Sequence, residues 1–223
     1  MSDRCFIAAK APQPGLVKTR LAAGIGDEAA VALYRAFLHD LGRRFADAPF
    51  PVGWFVTPRD AWSQLAPVVA GPGTTPVVVD QGPGDWTERQ RALFRGAAGR
   101  GETRTVLIAS DSPQVPVATV AEAFRRLDRS DLVLGPTHDG GYYLIGMRGW
   151  CDVLAGVRMS TGDVLGSIIE RAVEAGCSVD LVEPAFDVDE VADLGRLATA
   201  VEAADDMPST RRALAASAAP VRV

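Results

Sequence analysis

The run Thr105-Val-Leu-Ile-Ala109, closed by Ser110-Asp111-Ser112-Pro113, decides how the rest of the chain is read. It is apolar at both odd and even positions, so a strand there is buried on both faces. That is the mark of a mostly parallel sheet held between helix layers. Working outward, short β-branched or apolar runs predict further strands over residues 5–9, 52–57, 76–80, 131–135, 142–147 and 179–182. Helical patterns fall between them. The clearest spans residues 27–45, where Ala30, Leu33, Tyr34, Phe37, Leu38, Leu41 and Phe45 keep the 3.6-residue period behind an Asp27 cap. Ser, Thr, Asp or Pro signals open others at about 87–98, 117–127, 161–175 and 190–202. Alternation of strand and helix gives an α/β chain, whose ligands belong at the carboxyl ends of the strands. The Ala-rich stretch after Asp205 reads as a loose tail, leaving one domain over 1–204 and a C-terminal tail over 205–223.

Composition narrows the class. In 223 residues, 48% are hydrophobic and 23% charged, as in an ordinary folded protein. A formal net charge of -5 offers no whole-surface attraction for polyanions, which argues against a nucleic-acid or acidic-membrane partner. Cys5, Cys151 and Cys177 lie far apart without C-x-x-C spacing, suggesting neither a disulfide framework nor a zinc site. With no long apolar span and no targeting segment visible, the expected location is the cytoplasm.

Against this acidic background one loop is cationic. Lys10-Ala-Pro-Gln-Pro-Gly-Leu-Val-Lys-Thr-Arg-Leu21 follows the first strand, and no acid lies between Asp3 and Asp27. Lys10, Lys18 and Arg20, with backbone N–H groups turned by a Gly-bearing loop, suit a di- or triphosphate. It is not a P-loop, since Val17 stands where the glycine before the lysine belongs. Asp111 is the lone acid between Glu102 and Glu122 and ends the apolar strand. There it either caps a turn or holds Mg²⁺ or Mn²⁺ against a diphosphate, because these ions take one or two carboxylates plus phosphate oxygens. A further lone acid, Asp139, sits in Gly135-Pro-Thr-His-Asp-Gly-Gly-Tyr-Tyr143, beside His138, which reads as a hydrogen-bonded turn residue or as a catalytic one. Finally, Phe186-Asp-Val-Asp-Glu-Val-Ala-Asp-Leu194 leads acids into the last long helix, where capping is an equally ready explanation.

In this order the stretches resemble the DUF2064 family of provisionally assigned glycosyltransferases. That family is related to GT-A nucleotide-diphospho-sugar transferases and to 2-phospho-lactate guanylyltransferases. The resemblance runs from Phe6 to Leu197 and is most specific in the Lys10–Leu21 loop, in Ser110-Asp-Ser-Pro113 and in Gly135-Pro-x-x-Asp-Gly-Gly-Tyr-Tyr-Leu-Ile-Gly146. It implies a Rossmann-like three-layer αβα GT-A fold with a mostly parallel sheet. It further implies that Lys10, Pro14, Gly15, Lys18, Thr19, Arg20 and Ser110 embrace the nucleotide phosphates, together with Asp85 and Arg89 from Gly82-Pro-Gly-Asp-Trp-Thr-Glu-Arg-Gln90. Asp111 becomes a metal ligand, Asp189 its partner and Asp187 the reserve, with Mg²⁺ or Mn²⁺ as cofactor. Asp139, Gly140, Gly141 and Tyr142 face the sugar or acceptor. Asp139, Lys18 and Arg20 are the catalytic candidates. Trp86, Thr87, Gln90 and Met159 depart from the family pattern. The implied activity is glycosyl transfer from a nucleotide sugar to a small-molecule acceptor. Nucleotidyl transfer from a nucleoside triphosphate to a phosphorylated metabolite would use the same cradle, and a non-catalytic nucleotide-binding protein is the third reading.

Overall fold

The computed structural model describes residues 2–69, 76–159 and 161–217. Seven strands form one sheet in the order β3-β2-β1-β4-β6-β5-β7. They are β1 Asp3–Lys10, β2 Val52–Thr57, β3 Val77–Asp80, β4 Arg104–Ala109, β5 Leu132–Pro136, β6 Tyr142–Arg148 and β7 Val179–Leu181. All seven stand where the apolar runs place them. β6 alone runs antiparallel, to β4 and β5. Odd and even residues of the central strands enter separate cores: Cys5, Ile7, Val106 and Ile108 on one side, Phe6 and Leu107 on the other. Burial on both faces makes this a three-layer αβα molecule.

The helices are α1 Thr19–Ile25, α2 Asp27–Ala46, α3 Trp62–Val69, α4 Trp86–Gly99, α5 Val117–Arg126, α6 Val164–Glu174, α7 Leu194–Ala203 and α8 Pro208–Ser217. Three departures from the sequence reading have physical causes. First, α1 begins inside the supposed loop, because Lys18 turns the chain with a left-handed φ of 50°. Second, the helix expected over 190–202 opens with a short 3-10 turn at Val191–Asp193. Third, the supposed loose tail forms α8. The buried Asp40 accepts hydrogen bonds from the Ser209 and Thr210 N–H groups at 3.1 and 2.7 Å, capping that helix and seating it on α2. The cysteine reading is also corrected: Cys151 and Cys177 meet in a disulfide across 26 residues, with Cα atoms 7.5 Å apart. Long-range pairing leaves no local spacing signal. No helix among the described residues is long and apolar enough to cross a membrane.

β1 leads through α2 to β2 on one side, while β4 flanks it on the other. Strand order therefore reverses between β1 and β4. The loops leaving their carboxyl ends diverge there and open a crevice.

Candidate functional site

A cleft of about 930 Å³ occupies this crevice. At one end, three segments converge on Lys18. Its left-handed backbone places it at the start of α1, and its ammonium is buried. Nζ donates to Asp111 Oδ1 at 2.7 Å and to Asp189 Oδ1 at 3.0 Å. Burial pulls the lysine pKa down, but the two carboxylates outweigh it and hold the group above its ordinary value. Arg20 reaches Asp189 Oδ2 at 2.7 Å and Glu190 Oε1 at 3.0 Å. Burial alone would raise the Asp189 pKa, yet Lys18 and Arg20 together hold it below the usual carboxylate range.

Asp187 behaves differently. It accepts a hydrogen bond from Ser112 Oγ and makes no ion pair with a described residue. Burial first, then the charges of Asp111 and Asp189, push it up to about 6 despite the Ser112 hydrogen bond and the pull of Lys18. The acids are fixed from behind: Val188 N donates to the Asp111 carbonyl at 3.0 Å, and Asp193 Oδ2 accepts from the Asp189 and Glu190 N–H groups at 2.9 and 2.8 Å. Asp193, the second acid of the Asp189-to-Leu194 motif, thus positions the first.

The donor set fits a hard cation. Both oxygens of Asp189 are committed to cations and one of Asp111 is, whereas Asp187 meets none; its pKa is raised by burial first and by the neighbouring Asp111 and Asp189 charges second. Among the described residues no three His, Cys, Asp or Glu side chains form a ready-made metal cage. Two carboxylates completed by phosphate oxygens and water is the shell Mg²⁺ ordinarily takes. Asp187 makes no ion pair with a described residue, whereas Asp111 and Asp189 each pair with Lys18.

The opposite walls are polar and aromatic. Asp139 Oδ1 accepts from Thr137 Oγ1 at 2.5 Å and from the Gly141 N–H at 3.2 Å, which leaves Oδ2 for a ligand. Gly140 adopts φ 86°, and a Cβ there would run into the Gly162 carbonyl oxygen. That close approach lets the Gly140 carbonyl accept from Leu165 N at 2.9 Å and pins the loop to α6. Tyr142 donates to Gln90 Oε1 at 2.8 Å, and burial raises its pKa. Arg89 reaches Gln81 Oε1 at 3.4 Å.

Of the residues singled out from sequence, Lys10, Lys18, Thr19, Arg20, Ser110 and Asp111 line the cleft, as do Asp187 and Asp189. So do Asp85, Arg89, Asp139, Gly141 and Tyr142. Asp85 also caps α4, accepting from Glu88 N at 2.9 Å. Pro14 and Gly15 are exposed outside the lining, Gly140 stands behind it, and His138 is exposed away from it. Sequence reading missed Tyr34, Gln81 and Ser112. Tyr34 OH accepts from Lys10 N at 3.0 Å and bonds Ser110 Oγ at 3.0 Å, tying the β1 loop to the end of β4. Burial, then the nearby Asp111, push its pKa up to about 12. Its place in the α2 apolar stripe disguised it as core.

The model of the family described as "Uncharacterized protein conserved in bacteria (DUF2064)" matches residues 51–161. The crystal structure of a provisionally assigned nucleotide-diphospho-sugar transferase from Desulfovibrio desulfuricans G20 is 31% identical, covers 97% of this chain and 95% of that one, and superposes with a TM-score of 0.88. A nucleotidyl transferase from Methanothermobacter thermautotroptrophicus shares the fold at 14% identity and TM-score 0.58, over 91% of this chain and 99% of its own. The inositol-1-phosphate CTP transferase of T. maritima does so at 15% identity and TM-score 0.52, over 95% and 96%. No curated protein matches the sequence.

Proposed function

The chain belongs to the DUF2064 family, and on that premise we propose that it is a metal-dependent transferase that moves a sugar from a nucleotide-diphospho-sugar donor to a small-molecule acceptor. One observation carries the reading. A pole of two cations and three aspartates, Lys18 and Arg20 with Asp111, Asp187 and Asp189, shares a single cleft with an Asp-Gly-Gly-Tyr wall. The first suits a diphosphate and the second a polyhydroxylated ring.

Lys18 and Arg20 turn to the diphosphate and stabilise the negative charge that grows on it as the glycosidic bond breaks. Asp111 and Asp187 hold Mg²⁺ or Mn²⁺, which when bound supplies Lewis-acid stabilisation of the same leaving group. Lys10 and Thr19 border this pole on the β1 side, and Ser110 does so from the end of β4. Asp139 Oδ2 and the Gly141 backbone contact sugar hydroxyls, and Tyr142 closes that wall with its hydroxyl spent on Gln90. The 31% identity to the Desulfovibrio desulfuricans G20 protein, whose name gives this reaction class, supports sugar transfer over nucleotidyl transfer.

The test incubates the protein with Mn²⁺ and, separately, nucleotide sugars and nucleoside triphosphates, following products by chromatography. Water replaces a missing acceptor slowly once the leaving diphosphate is stabilised. The expected product is nucleoside diphosphate from one nucleotide sugar. Pyrophosphate release dependent on a phosphorylated small acid, with every nucleotide sugar intact, would overturn the reading in favour of nucleotidyl transfer.

A further inference from the structure

The loop that carries Asp111 is anchored at both ends by one helix. At its start, Tyr34 of α2 bonds Ser110 Oγ at 3.0 Å. At its far end, the Val115 N–H donates to the Ser112 carbonyl at 3.2 Å and closes a turn. Arg44, in the last turn of α2, holds that turn. Its Nη1 donates to the Pro113 and Val115 carbonyls at 2.5 and 3.0 Å, and among the described residues nothing else donates to either oxygen. Its Nε and Nη2 grip Asp206 Oδ2 and Oδ1 at 2.5 and 2.9 Å, so a side chain only 5% exposed keeps its charge paired. A lysine, with donors on a single nitrogen, cannot serve the carboxylate and both carbonyls from one position.

The loop is laced in turn to the segment that carries Asp187. Val188 N donates to the Asp111 carbonyl at 3.0 Å, the Ser112 hydroxyl to Asp187, and Gln114 Nε2 to the Phe186 carbonyl at 2.6 Å. Both segments present their acids to the cleft. Asp187 sits close enough to Asp111 and Asp189 for their charges to raise its pKa, and the same repulsion pushes the two segments apart. The grip of Arg44 on the turn opposes that push from behind. Without it two turn carbonyls lose their donor, and the carboxylates are free to spread. A cation would then have to gather them on binding, which weakens its hold.

We infer that Arg44 is a positioning residue: through the Pro113–Val115 turn it fixes the spacing of Asp111 and Asp187, and so sets the affinity of that pair for a divalent cation. This rests on the metal-dependent reading above. It also makes the C-terminal segment part of the support of the site, because Asp206 holds Arg44 from 162 residues away in sequence.

Three variants test it. Arg44→Lys keeps a charge beside Asp206 without the planar fork, Arg44→Met removes both, and Asp40→Asn weakens the α8 cap while leaving Arg44 and the turn untouched. Each is compared with the nucleotide-free parent by Mn²⁺ titration, read from the spin-resonance signal of the free ion. Urea unfolding and hydrogen exchange of the Val188 amide are followed in chelator. Both Arg44 variants should bind Mn²⁺ about tenfold more weakly, as losses behind metal ligands do. Their Val188 amide should exchange about tenfold faster than lost stability alone explains. Asp40→Asn should lose stability, yet hold its Mn²⁺ affinity and its corrected Val188 exchange within about twofold of the parent. Parent-like Mn²⁺ binding in folded Arg44→Lys overturns the inference. So does an Asp40→Asn that loses Mn²⁺ in proportion to its stability, since Arg44 would then act only through the fold. A parent that binds no Mn²⁺ refutes the metal-dependent reading, and with it the effect on affinity. Val188 still reads the hold on the loop: fast exchange confined to the Arg44 variants upholds it, and exchange as slow as in the parent overturns it.

Discussion

Asp187→Asn should stabilise the metal-free protein at neutral pH while removing metal-promoted nucleotide binding. The folded chain holds this carboxyl at about 6 against an ordinary 3.8, through burial and through the charges of Asp111 and Asp189. A raised carboxylate pKa means that the native state binds the proton more tightly than the unfolded chain. The cost is therefore absent below about pH 4, grows as pH rises toward 6 and is constant above. At about 1.4 kcal/mol per tenfold, the rise from 3.8 to about 6 sets a ceiling of about 3 kcal/mol. Partial solvent access to the side chain brings the expectation to about 2 kcal/mol. Asparagine keeps the shape and an oxygen for the Ser112 hydroxyl. Urea unfolding of parent and variant in chelator, at several values from pH 4.5 to 8, reads the difference directly. The variant's advantage should widen by about 1–2 kcal/mol across that range. A gap independent of pH, or a variant less stable than the parent at pH 8, would refute the reasoning. Stability surrendered at a binding site is the usual sign that the site was selected for something else.

Lys18→Met should weaken nucleoside diphosphate binding about 30-fold, the equivalent of about 2 kcal/mol for a charge-assisted contact. The same change should tighten Mn²⁺ binding to nucleotide-free protein, because Asp111 Oδ1 and Asp189 Oδ1 lose their ammonium; calorimetry and the spin-resonance signal of free Mn²⁺ check the two effects. Asp111→Asn should fold normally and bind nucleotide equally with and without Mn²⁺, as measured by thermal shift; a retained Mn²⁺ effect would reduce Asp111 to a turn residue. Gly140→Ala should cost about 1–3 kcal/mol in urea unfolding, since its φ of 86° and the Gly162 carbonyl both resist a Cβ. Slow donor hydrolysis should fall with it, and unchanged hydrolysis would separate this loop from the sugar.

Strands were legible because each is an apolar run bounded by turn residues, and burial on both faces is written into such runs at any register. Direction is not: Tyr142–Arg148 has the same apolar character as its parallel neighbours, and only its short connection from β5 makes it antiparallel. Helices α1, α3 and α8 escaped for separate reasons. α1 hides behind a lysine in a left-handed turn, α3 carries Pro67 within it, and α8 offers only Leu214 and three small alanines where an apolar stripe is sought. What anchors α8 is Asp40, a buried acid in a distant helix that no local pattern can announce. At the site, lone carboxylates in apolar surroundings stood out, so Asp111 and Asp139 were visible. The division of labour among Asp187, Asp189 and Asp193 was not, since it depends on which oxygen meets which cation.

That division explains why the loop cations alone make a poor anion site. Lys18 and Arg20 face Asp111, Asp189 and Glu190 directly, with Asp187 behind them. Two cations against four acids leave the pole negative, and most so above the Asp187 pKa of about 6. A diphosphate approaching it unaccompanied meets repulsion, however basic the loop looks in sequence. On the proposed reading, a divalent cation held by Asp111 and Asp187 would cancel that excess, and Lys18 would be free to leave Asp111 for phosphate. Arg20, mostly exposed, would follow at little cost, because exposed ion pairs are weak. On the proposed reading, these ion pairs would be the resting arrangement of groups whose working partners are a metal and two phosphates. The loss of Mn²⁺ dependence in Asp111→Asn reports directly on that exchange.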